Sequence, residues 1–290
     1  MFPKTPDYHK PGKPLVPTGL GAIYVLASTI YLFLLHIILE SSTPQIPSKA
    51  LTLAACILFG GFMGLLDDWM DLRWRYKAFL PLIAAVPLSA LAYRLPYVRT
   101  SIGFPIIGTI DFGNYYFLIV IPIIVTVVTN TVNQLGGLNG LETICPAVIL
   151  TGLMLISGFN AILLFVPLAV WFLLAVLNFQ GKIFVGNTGS FAIGITLAAF
   201  AIISDLKWTM LISLAPYILN SSLILLNYFI FGTKAKVSFD GKKLSSDHRR
   251  SLITLITYRR QMSERQVVIV IAGLVAASTL TAMLIHIMAY

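Results

Sequence analysis

The chain has 290 residues, 58% of them hydrophobic and 11% charged, with a mean hydropathy of +0.88. A soluble domain is nearer one quarter charged, so the composition excludes one and indicates an all-α polytopic membrane protein. Lys and Arg outnumber Asp and Glu by 20 to 11, a net charge of +9, which in a membrane protein reports loop sidedness and not nucleic-acid binding.

In chain order, apolar runs predict nine spans: 19–39, 50–66, 78–93, 114–129, 143–157, 161–177, 191–203, 208–231 and 266–289. The N-terminus carries no pattern of a cleavable signal. Cys56 and Cys145 fall inside spans, which argues against a disulfide framework. The connections then alternate between two faces. One face receives 1–18, 67–77, 130–142, 178–190 and 232–265, with 16 of the 20 basic residues. The other receives Lys49, Arg94, Arg99 and Lys207. All 11 acids also fall in connections, eight of them on the first face. Charge inside a bilayer is costly, and the positive-inside rule makes the rich face cytoplasmic. Residues 1–290 therefore read as one integral-membrane domain.

Residues 94–113, with Pro96, Gly103, Pro105, Gly108 and Gly113, predict a small hairpin on the opposite face. Span 208–231 contains Pro216, Asn220 and Asn227. A proline inside a helix removes a backbone hydrogen bond, so this span is expected to bend or break.

Chemistry-capable residues concentrate on the cytoplasmic face. Asp67 and Asp68 close the second span, followed by Asp71, Arg73, Arg75 and Lys77. Paired carboxylates at a membrane surface suit a divalent cation or a proton, and the basic residues suit phosphate oxygens. A solvated cap with interfacial anchors is the plainer alternative. Asn130 and Asn133, at i, i+3, share one side of a helix end, and Gly136, Gly137 and Gly140 allow a close backbone approach. Taken alone, that cluster is better explained as a simple helix cap and turn. Asn178, Lys182, Phe184 and the stretch FVGNTGSF form a third cluster, with Phe184 either a stacking platform or an interfacial aromatic. Loop 232–265 carries nine Lys and Arg and the run Asp247-His248-Arg249-Arg250. It suits either anionic lipid or an anionic substrate. Little polarity lies at midmembrane, where a transporter or flippase of an anionic lipid would need its site.

At these residues the sequence resembles the polyprenyl-phosphate N-acetylhexosamine-1-phosphate transferase family. That family includes the bacterial phospho-MurNAc-pentapeptide translocase and the dolichyl-phosphate GlcNAc-phosphotransferase of N-glycosylation. DDWMDLRWRYKAFLP is similar to its aspartate-pair motif, NTVNQLGGLNGLE to its second and NFQGKIFVGNTGSF to its third. PLVPTGLG resembles its N-terminal loop and MSERQVV the entry to its last helix. Gly136 stands where the cell-wall branch has aspartate, so the likeness is to the dolichyl branch.

The resemblance implies transfer of a sugar 1-phosphate, GlcNAc 1-phosphate in that branch, from a UDP-sugar to a polyprenyl or dolichyl phosphate. UMP is released, with Mg²⁺ or Mn²⁺ as cofactor. It assigns Asp67, Asp68 and Lys77 to catalysis, and Asn133 and Asn187 to the metal. Phe184, Gly137, Asn139 and Glu142 go to the nucleotide, and His248, Arg249 and Arg250 to the diphosphate or sugar. Implied partners are the two substrates, membrane lipid and, as in relatives, a second copy in a homodimer. A prokaryotic cell membrane is favoured over the endoplasmic reticulum. Three positions depart from the family pattern: the first of ten spans has no counterpart, Thr18 replaces a glutamate, and Asn187 replaces a metal-binding aspartate. The last departure raises a competing reading, an impaired member that binds UDP-sugar without turnover.

Overall fold

The computed structural model describes residues 2–39, 48–94, 98–104 and 108–289. Most of the predicted 40–49 connection, and Pro96 and Pro105 of the predicted hairpin, lie outside the described residues. The chain is an all-α bundle. Its helices are α1 (Gly21–Leu39), α2 (Lys49–Met70), α3 (Trp74–Ala84), α4 (Val86–Ala92) and α5 (Ile121–Gln134). They continue with α6 (Leu141–Ile156), α7 (Phe165–Phe179), α8 (Gly186–Ile203), α9 (Lys207–Ser213) and α10 (Ala215–Phe231). A one-turn helix α11 (Leu252–Ile256) and the long α12 (Glu264–Ala289) end it. A π-helical turn, Tyr116–Val120, leads into α5, and a 3₁₀ turn, Gly158–Leu164, leads into α7.

Among the described residues, seven segments are long and apolar enough to cross a membrane, and the bent α9–α10 pair makes up to eight. The remaining expected span, 143–157, is α6, an apolar helix of 16 residues that falls short of that length. The bend expected in 208–231 is present: α9 and α10 meet at 59°. Leu214 separates them and Pro216 lies in the first turn of α10. Proline is tolerated at a helix start because it has no N–H to leave orphaned. The expected hairpin is also present, as β3 (Ser101–Phe104) paired antiparallel with β4 (Gly108–Asp111). Two more short pairs lie elsewhere: β1 (Lys4–Pro6) with β2 (Leu15–Pro17), and β5 (Ser238–Phe239) with β6 (Leu244–Ser245).

Two helix boundaries differ from the sequence expectation. Asp67 and Asp68 belong to the last turns of α2, not to a connection. Gly186–Ser190 form the first turn of α8, not a loop before it. The reason is long-range. The first N–H groups of a helix have no partner within it, and α2 supplies the acceptor from outside.

α8 is the centre of the bundle, with every residue from Thr188 to Ile203 buried. Helices apolar on all sides take such positions. α2 reaches it through Gly64, where a Cβ would overlap the Asn187 carbonyl oxygen and lie 2.6 Å from Thr188 Cα. α1 reaches it through Gly21, where a Cβ would overlap Gly189. Small residues let membrane helices approach this closely. Gly64→Ala should therefore cost about 1–3 kcal/mol, the range for overpacked cores. Thermal unfolding in detergent measures it, and an unchanged Tm would contradict the packing of α2 on α8.

Candidate active site

Asp67 and Asp68 are adjacent in sequence but serve different partners. Asp67 is buried. Its Oδ1 accepts from the Lys77 ammonium at 3.0 Å and from the Leu72 N–H at 3.2 Å. Its Oδ2 is enclosed and, among the described residues, has no hydrogen-bond partner. Lys77 is partly exposed and lies 3.9 Å from Asp71 as well. Asp68 is exposed and crosses to α8. Its Oδ1 accepts from the Asn187 N–H at 2.8 Å. Its Oδ2 accepts from the Thr188 N–H at 2.9 Å and the Thr188 hydroxyl at 2.7 Å. A carboxylate at a helix N-terminus satisfies orphan donors and meets the positive end of the helix dipole. Gly186 has φ +71°, and a Cβ there would lie 2.8 Å from Asp68 Oδ2. Both facts call for glycine.

Asn133, in the last turn of α5, converges on the same place. Ser190 Oγ donates to Asn133 Oδ1 at 2.7 Å and to the Asn187 carbonyl at 3.3 Å. Asn130 is used differently: its Nδ2 donates to the Ala78 and Thr126 carbonyls at 3.0 and 2.9 Å, tying α5 to α3. Beyond Asn133, Gly137 adopts φ +87° with open space beside it. Glu142 opens α6, and burial, with the negative charge of Asp68 second, pushes its carboxyl up to about 7. Asn139 turns inward and is 4% exposed. Its Nδ2 donates to Asp7 at 2.8 Å and Glu264 at 3.0 Å, and its N–H to Glu264 at 2.7 Å. Asn178 braces the same loop, accepting from the Gly140 N–H at 2.8 Å and donating to the Ile183 carbonyl at 2.8 Å.

The N-terminal segment is strapped onto FVGNTGSF through the backbone. The Phe184 N–H donates to the Pro17 carbonyl at 2.8 Å, and its carbonyl accepts from the Leu20 N–H at 3.2 Å. The Phe184 side chain is half-buried.

The basic loop is held by its own contacts. His248 Nε2 accepts from the Lys236 N–H at 3.2 Å, and Arg250 donates to the Lys234 carbonyl at 3.2 Å. The Arg249 guanidinium stands 4.2 Å over the Tyr258 ring. Among the described residues, no hydrogen bond or ion pair links these three to the aspartates. The loop reaches the site through Asn220 of α10. Asn220 Oδ1 accepts from the Leu252 N–H at 2.9 Å, and its Nδ2 lies 3.5 Å from the Gln134 carbonyl, next to Asn133. Asn220→Leu leaves the buried Leu252 N–H without an acceptor, at a cost of about 1–3 kcal/mol. The expected result is a lowered Tm in detergent; an unchanged Tm would mean the loop is positioned otherwise.

Residues 50–205, more than half of the chain, match the family described as glycosyl transferase family 4. A Saccharolobus solfataricus protein, provisionally named UDP-N-acetylglucosamine–dolichyl-phosphate N-acetylglucosaminephosphotransferase, is 31% identical over 97% of this chain and 87% of its own length. The chain belongs to glycosyl transferase family 4. The Saccharomyces cerevisiae enzyme of the same name is 27% identical over 74% of this chain and 58% of its own length. A Clostridium perfringens phospho-N-acetylmuramoyl-pentapeptide-transferase is 30% identical over 77% and 72%.

In this membrane glycosyltransferase, the sequence-expected residues separate into two groups. Asp68, Asn133 and Asn187 meet at the N-terminus of α8, with Glu142 within electrostatic reach. Asn139 is committed to Asp7 and Glu264, so its amide nitrogen braces the fold. Thr188 and Ser190 belong to the FVGNTGSF cluster and Glu264 to MSERQVV, but none of the three was given a role of its own, and Asp7 was not singled out at all.

The donor chemistry here fits a hard divalent cation. The atoms gathered here are oxygens: the Asn133 amide oxygen and the Asn187 backbone carbonyl both accept from the Ser190 hydroxyl, and the Asp68 carboxylate accepts from the Asn187 N–H. Among the described residues, no three His, Cys, Asp or Glu side chains are grouped to hold a metal.

Proposed function

We propose that this protein transfers GlcNAc 1-phosphate, or a related sugar 1-phosphate, from a UDP-sugar to a polyprenyl or dolichyl phosphate, releasing UMP. Such a step begins lipid-linked glycan assembly of the N-glycosylation kind. The observation that carries the reading is the Asp68 clamp on the N-terminus of α8, which joins DDWMD to FVGNTGSF. Asn133 is joined there through Ser190. The names of the archaeal and yeast relatives support the choice of donor and acceptor. A lipid phosphate is confined to the interface, and this site lies at helix ends. The density of basic residues in these loops supports a cytoplasmic orientation, in a prokaryotic cell membrane.

In the reaction, a lipid-phosphate oxygen attacks the sugar-bearing phosphorus, and the bond to the bridging oxygen breaks as UMP leaves. Phosphoryl transfer depends on positioning and charge neutralisation more than on covalent chemistry. Lys77 presents its ammonium to the incoming lipid phosphate, and Asp67 holds it there at 3.0 Å. Asp67 is itself enclosed and acts through Lys77. Asp68 orients the first turn of α8, and with it Asn187. Asn133 and Asn187 would hold Mg²⁺, which when bound neutralises diphosphate oxygens. Phe184 and the open face of Gly137 border the space for the uracil ring. Arg249 and Arg250 add positive charge toward the diphosphate, and His248 orders the segment that carries them by accepting from the Lys236 N–H.

The test is UMP release by the purified protein from UDP-GlcNAc and dolichyl phosphate, with and without Mg²⁺. Mg²⁺-dependent UMP is the expected result. No UMP from this chain or from its Asn187→Asp variant, even with a preceding span fused to the N-terminus, overturns the reading.

A further inference from the structure

At the end of the bundle away from the aspartate pair, a cavity of about 650 Å³ opens between α4 and the π-helical turn. Its position follows from chain direction. α5 runs from this end, at Ile121, to Asn133 at the other. The walls are apolar, formed by Val86, Ala90, Leu118 and Pro122. Tyr93 closes one side, edge-on to Phe117 with ring centroids 5.4 Å apart. Val86, Tyr93 and Leu118 are exposed large hydrophobics.

Three polar features line this apolar space. The Ser89 hydroxyl is buried and, among the described residues, has no hydrogen-bond partner. The Arg94 and Asn114 side chains are exposed, and among the described residues Arg94 makes no ion pair. The wall is also irregular. Ile121 donates to Tyr116 in the wider π pattern, and Pro122, the next residue, has no N–H to return. Single π turns inside helices occur frequently at functional sites.

We propose that this cavity binds a membrane phospholipid with a net-negative headgroup. The acyl chain fills the apolar channel, and Arg94 and Asn114 hold the headgroup. Ser89 gives its hydroxyl to the ester region. An apolar wall turned toward lipid is covered by acyl chains, because water there would be costly. A guanidinium on the rim selects the sign of the headgroup, since arginine matches phosphate oxygens bidentately. This site is separate from sugar-phosphate transfer and stands or falls independently of it.

The full-length protein, purified in detergent and stripped of lipid, is titrated with phosphatidylglycerol or phosphatidylcholine, and retained lipid is counted by native mass spectrometry. One phosphatidylglycerol should bind about fivefold tighter than phosphatidylcholine, the factor worth about 1 kcal/mol per basic residue near a membrane surface. Arg94→Gln should bring that ratio to about one at this site, by removing the charge behind it. Ala90→Trp, which fills the channel, should remove the bound lipid of either kind. Should Arg94→Gln fail to fold, Asn114→Leu replaces it and should weaken phosphatidylglycerol alone. Phosphatidylglycerol retained with its preference intact in Arg94→Gln, or in equal number in Ala90→Trp, overturns the proposal and directs attention to the basic loop.

Discussion

Asp68→Ala is expected to lower kcat for UMP release by about a hundredfold, the penalty for roughly 1 Å of misplacement at a reacting centre. Asp68 makes three hydrogen bonds to the first turn of α8, at 2.8, 2.9 and 2.7 Å. Without them two backbone donors are orphaned, and the turn carrying Asn187 loses its orientation. The loss of stability should be about 1–2 kcal/mol, as for a helix cap, because Asp68 is exposed and water replaces part of what is lost. Asp68→Asn keeps an acceptor oxygen but not the charge, and should fall between the two. Asp67→Asn acts by another route. It weakens the grip on Lys77 and should raise KM for the lipid phosphate more than it lowers kcat. Full kcat in Asp68→Ala would remove the clamp from the mechanism.

Asn187→Asp is expected to increase Mg²⁺-dependent turnover. A unit charge about 4 Å from the cation is worth roughly 4 kcal/mol at an effective dielectric near 20. Fully expressed in the transition state, that is about a thousandfold in rate. The site adds a sign that a rate alone would not. The new carboxylate lies in the first turn of α8, where the helix dipole favours it by about 0.3–1 kcal/mol. It also lies beside Asp68, which already accepts from the Asn187 N–H. Like charges repel until a cation separates them. Mg²⁺ should therefore raise the Tm of the variant more than that of the parent. Calorimetric Mg²⁺ titration without substrate should show tighter binding as well. If neither Tm nor affinity responds, the metal is not held at position 187. If both respond and the parent chain releases no UMP, the parent is an impaired member of the family.

Much of this architecture was legible in the chain. The bend at Pro216 and the hairpin at Ser101–Asp111 are local, and proline or turn chemistry writes them directly into a few residues. The apolar runs and the confinement of charge to connections and helix ends follow from one constraint, the cost of charge in hydrocarbon. The three motifs read as separate clusters, each with a bland explanation of its own.

Where the clusters meet was not legible. DDWMD looked like two equivalent acids, and the structure gives one to Lys77 and the other to α8. That division depends on how α2 is rotated against α8, which Gly64 sets by admitting the Asn187 backbone. FVGNTGSF looked like a polar turn because its donors have no local partner, and its partner is 119 residues away in Asp68. Asn139 looked available to a ligand, and Asp7 and Glu264 enclose it from the two ends of the chain. Periodicity and charge placement report what each segment needs from its solvent. They identify a polytopic membrane protein and the approximate ends of its helices, and the resemblance of its motifs adds the transferase, but hydrogen bonds between distant segments leave no periodic trace. Packing alone assigned Asp67 to Lys77, Asp68 to α8 and Asn139 to Asp7 and Glu264.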